Sequence, residues 1–447
     1  MVAIEGCYLA TVDEHATEHP SGHLVFGDGR LLAVGAGELP ARYAEAERVD
    51  GRGLLATPGL VNVHHHLYQW ISRGLATDHT LFDWLTRLYP RWSRLSAELV
   101  GIAATANLAV LARSGCTTTS DHHYVFPAGR GDPLEATIEA ARTIGLRFHP
   151  SRGSMDLGQS SGGLPPDDLV ERHDAILDAT QHAITKWHDP SPEAMVRIAV
   201  APCSPFSVTP ELMRDCAELA REYGVRLHTH LAETTDELDY CRQTYGRSPV
   251  EYAAELGWLG PDVWLAHGVQ LDANDIGMLA RSATSVAHCP TSNGRLGAGI
   301  APVRRLIDAG VPVGLGVDGA ASNESGQLAR ELHQAVLAAR YLGGPTALSC
   351  RQALALATRG GAACLGRADE LGSLEVGKLA DIALWRLTDL ASAGVADPIA
   401  ALVLGTPSLA RLYVAGREVV AGGVLLTADE AALAAAAASA SRRLDGD

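Results

Sequence analysis

Short apolar segments alternate with longer helical stretches eight times in this chain, and that alternation restricts its fold more than any other feature. Between Pro58 and about Leu365 the strand-length segments are Gly59–His64, Cys116–Asp121, Leu146–Ser151, Val196–Ala201, Arg226–His230, Val263–His267, Thr284–His288 and Val311–Asp318. Stretches with helical patterning, such as Ser96–Arg113, Pro133–Ile144, Pro210–Tyr223 and Pro302–Ala309, lie between them. Strand, helix and parallel strand make a βαβ unit, and eight such repeats close into a barrel. The expected fold is therefore α/β, a distorted (β/α)8 TIM barrel over residues 58–365. Strand patterns also occur at Met1–Val12, His23–Val34 and Arg48–Ala56, with Gly-rich turns such as Gly27-Asp-Gly-Arg30, and again at Leu374–Trp385 and Leu409–Val420. Residues 1–57 and 366–447 are expected to combine into one small β-sandwich domain, with Asp429–Arg443 as a surface helix.

Composition narrows the class. The 447 residues are 47% hydrophobic and 20% charged and include 46 glycines, as in a soluble α/β enzyme. A net charge of −16 argues against nucleic-acid or anionic-membrane partners, because phosphate recognition needs a basic face. No apolar run reaches the ~18 residues that span a bilayer. The start Met1-Val-Ala-Ile-Glu-Gly6 has no basic region leading into an apolar core, so a cytoplasmic location and a small-molecule partner are expected. The eight cysteines are scattered without a CxxC pair and read as reduced core residues.

In such a barrel the reactive side chains sit at the C-terminal strand ends. Those ends carry His64 and His66, His228 and His230, His267, His288 and Asp318. Residues i and i+2 of a strand share a face, so His64 and His66 can aim at one point while His65 faces away. A surface histidine run would not close an apolar strand in mid-chain. Glu233 follows His230 by three residues and can turn back over an open coordination position. A divalent ion held by three histidines and an aspartate, with water in the remaining position, is a catalytic site rather than a closed structural one. The segment Gly314–Gly319 formally matches GxGxxG, yet it belongs to the eighth strand of a barrel rather than the first of a dinucleotide fold. HExxH, the GxxxxGK[ST] loop, the GxSxG elbow and HxE…PCxxC are absent.

Taken together, Pro58-Gly-Leu-Val-Asn-Val-His-His-His66, His228-Thr-His-Leu-Ala-Glu233, Ala266-His267, His288-Cys-Pro-Thr-Ser-Asn293 and Val317-Asp-Gly-Ala-Ala-Ser-Asn323 resemble the amidohydrolase superfamily. Within it they are similar to the branch of guanine, cytosine, adenosylhomocysteine and s-triazine deaminases and chlorohydrolases. The likeness runs through essentially the whole chain, including Gly377-Lys-Leu-Ala-Asp381 near its end. It implies one divalent metal ion per subunit, Zn2+ with Fe2+ as the alternative, bound by His64, His66, His230 and Asp318. It also implies that His267 hydrogen-bonds the metal's water. No lysine ends the fourth strand, which disfavours a two-metal site.

The segments around Gln69, Tyr124 and Arg152 are similar to those of bacterial 8-oxoguanine deaminases, and triazine hydrolases share much of the pattern. The expected reaction is hydrolytic deamination of an amino-substituted N-heterocycle, 8-oxoguanine to urate and ammonia, with Glu233, His267 and Asp318 as catalytic residues. Alternatives are a guanine, isocytosine or pterin deaminase, an s-triazine amino- or chlorohydrolase, and, from another class, a non-catalytic binding barrel. Candidate substrate contacts are Gln69, Trp84 or Trp92, His122, Tyr124 and Arg152. Gln69 can equally start a helix, the tryptophans can be core, and Arg152 can be an ion-pair partner. Asn293 and Ser322 either support Asp318 or touch substrate. Self-association into a dimer or larger homo-oligomer is expected by analogy alone.

Overall fold

The computed structural model describes residues 1–446 and is built around a ring of parallel strands. These are β1 (Leu60–Asn62), β2 (Cys116–His123), β3 (Arg147–Ser154), β4 (Ala199–Pro202), β5 (Arg226–Leu231), β6 (Val263–His267), β7 (Ser285–His288) and β8 (Val313–Leu315), paired in that order. Val63 N–H donates to Leu315 O at 3.0 Å and Asp318 N–H to His64 O at 3.1 Å, which joins the last strand to the first. All eight expected strands are present. The eighth is shorter than expected because the Val317 amide is taken by the Asn62 side chain at 2.9 Å, and Asp318 then turns to φ 62°.

The intervening helices begin and end where local chemistry directs. Ser96 accepts from Leu99 N–H to cap Ala97–Arg113. Asp132 caps Pro133–Ile144, Pro133 fills the first position where a missing N–H costs nothing, and Gly145 at φ 85° ends the helix.

The chain ends form a second, mixed sheet of nine strands. Strands Val2–Ala10, Glu18–Gly27, Arg30–Ala36, Glu47–Asp50 and Leu54–Pro58 come from one end, and Ile382–Arg386, Leu409–Val414, Arg417–Ala421 and Val424–Leu425 from the other. The two sets meet where Leu54–Pro58 pairs antiparallel with Ile382–Arg386. The Gly-rich turn expected at Gly27–Arg30 divides His23–Val34 into a hairpin, in which Asp28 (φ 51°) and Gly29 (φ 77°) adopt the left-handed turn that reverses the chain. At Gly6 (φ 73°) the first strand shifts register and exchanges the Glu47–Asp50 strand for Leu54–Pro58. The sheet encloses a core in which Ile4, Leu9, Leu24 and Phe26 pack with Ile382, Leu384 and Tyr413.

Sheet and barrel are tied by a buried ion pair. Arg147, at the start of β3, donates to the Asp381 carboxylate from Nη2 at 3.2 Å and from Nε at 3.3 Å. Asp381 also accepts the Ala415 amide at 2.7 Å. The Gly377–Asp381 motif thus serves the architecture, since its carboxylate fastens the C-terminal strands to the bottom of the barrel. Among the described residues, no helix is long and apolar enough to cross a membrane.

Candidate metal centre and active site

His64, His66, His230, His267 and Asp318 meet at the C-terminal end of the barrel, all at most 8% exposed. Each imidazole is fixed by its Nδ1. His66 Nδ1 is 2.6 Å from His122 O, His230 Nδ1 is 2.6 Å from Cys203 O, and His267 Nδ1 is 2.9 Å from Asn293 Oδ1. A carbonyl oxygen only accepts, so each of these Nδ1 atoms carries the proton. For His64 the same logic runs through a relay. His228 Nδ1 donates to Trp264 O at 2.8 Å, so its Nε2 accepts, and the atom 2.8 Å from that Nε2 is His64 Nδ1.

Four imidazoles therefore direct Nε2 lone pairs inward. His66 Nε2 and His230 Nε2 are 3.0 Å apart with no proton to share. Asp318 Oδ1 lies 3.3 Å from His64 Nε2 and 3.2 Å from His66 Nε2. His64 Nε2 is buried without a hydrogen-bond partner. Lone pairs and a carboxylate crowded in this way repel one another unless a cation lies among them, and neutral imidazoles are the form that ligates metal. Burial holds His64 and His230 well below the ordinary imidazole range and His228 down to about 3. The donor set fits a divalent metal ion. Ring and carboxylate atoms of His64, His267 and Asp318 lie within 4.8 Å of one another, as do those of His64, His122 and His230.

Backbone strain accompanies the cluster. Asp318 (φ 62°), His267 (φ 75°) and Ala232 (φ 55°) are in the left-handed region, which costs a non-glycine residue about 1–3 kcal/mol. Other contacts hold them there. Ser292 Oγ donates to Asp318 Oδ2 at 2.5 Å and lies 2.8 Å from Ser322 Oγ, which is 3.2 Å from the same carboxylate oxygen. Glu237 accepts the Ala232 and Glu233 amides at 2.8 and 2.7 Å and so sets the turn that carries Glu233.

Glu233 Oε2 stands 3.6 Å from His267 Nε2. Burial, with the nearby charges of Asp318 and Glu237, raises its carboxyl well above the usual range. A cavity of about 370 Å³ opens over these groups, lined on other sides by Gln69, Trp84, Tyr124, Phe206 and Leu296. Gln69 is positioned by the chain opposite: its Oε1 accepts from Ala321 N–H at 3.3 Å, and a Cβ on Gly319 would overlap that oxygen.

Of the pocket residues expected from sequence, Gln69, Trp84 and Tyr124 line this cavity and five others do not. His122 lies beneath it, stacked on His230 with centroids 4.7 Å apart, its Nε2 spent on Ala201 O at 2.9 Å. Arg152 belongs to a separate hollow, where it stacks on Phe126 and pairs with Glu171 at 2.7 Å, so the ion-pair alternative describes its position. Trp92 is core, edge-on to Trp84. Asn293 and Ser322 support His267 and Asp318. The structure adds Phe206, Ser292 and Glu237 to the site. Phe206 follows the end of β4, where inspection of strand ends reaches it, and Ser292 lies within the His288–Asn293 motif, whereas Glu237 stands four residues beyond the His228–Glu233 motif and belongs to none.

A model of the amidohydrolase family matches residues 55–419, and the chain belongs to that family. An 8-oxoguanine deaminase of Pseudomonas aeruginosa is 45% identical over 428 residues, 95% of this chain and 95% of that protein. An isoxanthopterin deaminase from an unknown prokaryotic organism is 41% identical over 419 residues, 89% of this chain and 86% of that one. The crystal structure of an atrazine chlorohydrolase from Arthrobacter aurescens complexed with zinc superposes with a TM-score of 0.94 at 36% identity, covering 99% of this chain and 100% of the other.

Proposed function

We propose that this protein is a zinc-dependent deaminase that converts 8-oxoguanine to urate and ammonia. His64, His66, His230 and Asp318 would hold one ion per subunit. The observation that carries this reading is the inward set of Nε2 lone pairs beneath a cavity whose wall includes a buried carboxyl, Glu233. Identity of 45% to an 8-oxoguanine deaminase supports the substrate. Bound there, a divalent ion supplies a nucleophilic hydroxide at neutral pH by lowering the pKa of water from 15.7 to about 7.

The chain's own residues do the rest. Asp318 and His267 orient the attacking oxygen toward the carbon that bears the amine. Glu233 takes a proton from the attacking water and gives it to the adjacent ring nitrogen, and the second proton of that water passes through Glu233 or Asp318 to the departing amine as the carbon–nitrogen bond breaks, a role typically worth 10²- to 10⁴-fold. Gln69 and the unpartnered indole N–H of Trp84 offer hydrogen bonds to the edge of the base, and Tyr124 and Phe206 supply aromatic surface. Residues 58–365 form the catalytic unit in this reading, and 1–57 with 366–447 the accessory β domain. On family analogy the enzyme is cytoplasmic and self-associates.

A second reading, pterin deamination, rests on the 41% identity to an isoxanthopterin deaminase. Ammonia release from metal-analysed protein is the test, with 8-oxoguanine, guanine, isocytosine, isoxanthopterin and a chloro-triazine as substrates. A kcat/KM for 8-oxoguanine about a hundredfold above the others supports the assignment. If isoxanthopterin leads, the second reading replaces it; if nothing is turned over by metal-loaded protein, deamination itself fails.

A further inference from the structure

At the opposite, N-terminal end of the barrel, four arginines surround His149 of β3: Arg147, Arg197, Arg226 and Arg367, whose charges all bear on that imidazole. Only two carboxylates answer them directly. Asp381 pairs with Arg147, and Glu370 is shared by Arg197 at 2.8 Å and Arg367. Four cations against two anions is a local excess of positive charge in a protein whose net charge is −16.

The excess falls on Arg226. Arg147 and Arg367 spend their remaining N–H groups on carbonyls of the 190s loop, including Ala194 O, which both reach. Arg226, among the described residues, makes no ion pair and no side-chain hydrogen bond; its Nε and Nη2, like Arg197 Nε, are sealed from solvent, which leaves Nη1 of each guanidinium as the group that can meet a ligand. A half-buried guanidinium left without an anionic partner is costly, and its charge is suited to an oxyanion. The guanidinium is held in place by its surroundings: it lies 5.9 Å from the Trp264 ring centroid, and a Cβ on Gly366 would come within 2.8 Å of Nη1. Arg226, Arg197, His149 and His188 line a cavity of about 620 Å³ here.

We propose that this cavity is a second ligand site, separate from the metal centre, that binds a phosphate-type oxyanion on Arg226 and Arg197. The oxyanion is either free phosphate or the phosphate group of a small metabolite, and it answers the positive charge that Asp381 and Glu370 leave unmatched.

The test is calorimetric titration of the zinc-loaded enzyme at constant ionic strength with inorganic phosphate and, separately, with glycerol 3-phosphate. One phosphate per subunit should bind with a Kd of about 1 mM or tighter. Arg226→Met should weaken binding at least about tenfold while leaving kcat/KM for the heterocycle unchanged. Gly224→Asp is the second variant. Gly224 lines the same cavity at φ 65°, a conformation Asp tolerates, and a Cβ there meets nothing within 4 Å. It places a carboxylate in the cavity and should weaken phosphate binding even if Arg226→Met does not fold. Equal affinity for glycerol 3-phosphate identifies a metabolite's phosphate group as the ligand, whereas its exclusion identifies the free ion. No uptake of either, or uptake unchanged in both variants, overturns the site. So does phosphate that only competes with the heterocycle and survives Arg226→Met, since that binding belongs to the metal centre.

Discussion

Glu233 Oε2 and His267 Nε2 lie 3.6 Å apart, and Asp318 Oδ2 is 4.0 Å from the same nitrogen. The two carboxylates flank one imidazole edge, but only Glu233 is free of the inward-facing Nε2 groups of His64 and His66. Glu233→Gln is therefore expected to keep the fold and a full complement of metal while losing about 10²- to 10⁴-fold in kcat. Metal analysis alongside steady-state kinetics checks this, and a variant that retains turnover removes Glu233 from the proton path.

Metal removal should act on stability as well as on activity. The close Nε2 contact of His66 and His230 is tolerable only with a cation nearby, so chelation is expected to abolish turnover and lower the Tm, with zinc restoring both. His64→Ala should copy the chelated state and resist rescue. Calorimetry with and without chelator reads the effect, and an unchanged Tm argues against the ligand set.

The contact between Gly319 and Gln69 gives a prediction about binding. Since a Cβ on Gly319 would overlap Gln69 Oε1, Gly319→Ala must displace the carboxamide. KM should rise about tenfold or more with metal content unchanged, and Gln69→Ala should do the same. If Gln69→Ala leaves KM alone, Gln69 is not a substrate contact.

The Arg147 and Asp381 pair is fully buried at the junction of barrel and sheet. Arg147→Met leaves a buried carboxylate without its counter-ion and is expected to cost about 3–5 kcal/mol. Urea unfolding measures it; a loss below about 1 kcal/mol means that water or the Ala415 amide suffices for Asp381.

Burial raises the Glu331 carboxyl to about 7, despite its hydrogen bonds from Thr291 and Asn323. Its pKa is higher folded than unfolded, so the folded state takes up a proton between about 4.5 and 7. The stability this provides, on the order of 3 kcal/mol, is complete below about pH 4.5 and lost as the pH rises through 7. Glu331→Gln should therefore flatten the fall in unfolding free energy between about pH 5 and 8, and parallel curves for variant and wild type contradict the assignment.

The strand ends were the most legible part of the sequence. Period-two spacing brought His64 and His66 to one face, and all eight strands appear in the expected order, because each strand is a local apolar run. The resemblance to known deaminases carried the rest of the expected ligand set. Legibility failed where a side chain's destination depends on distant neighbours. Arg152 sits just past the middle of β3, as a pocket residue should, yet Phe126 and Glu171 draw it into another hollow. His122 is turned under the cluster by a single carbonyl, Ala201 O. Ser292, which holds Asp318, makes a contact set only once separate segments have packed, whereas Glu237 fixes the Glu233 turn from four residues on, a local contact that lies beyond the strand end.

The strand that leads into the barrel and the strand that follows it are hydrogen-bonded neighbours, with Pro58 opposite Ile382. On the ribosome the first five strands of that sheet emerge more than three hundred residues before their partners, and closing so large a loop carries an entropic cost that only a finished barrel offsets. Until then, an apolar strand edge at Leu54–Pro58 stands open to other chains. Synthesis of this protein should therefore depend on holdase chaperones until its C-terminal strands are made, and C-terminal truncation should produce aggregation rather than a smaller active enzyme.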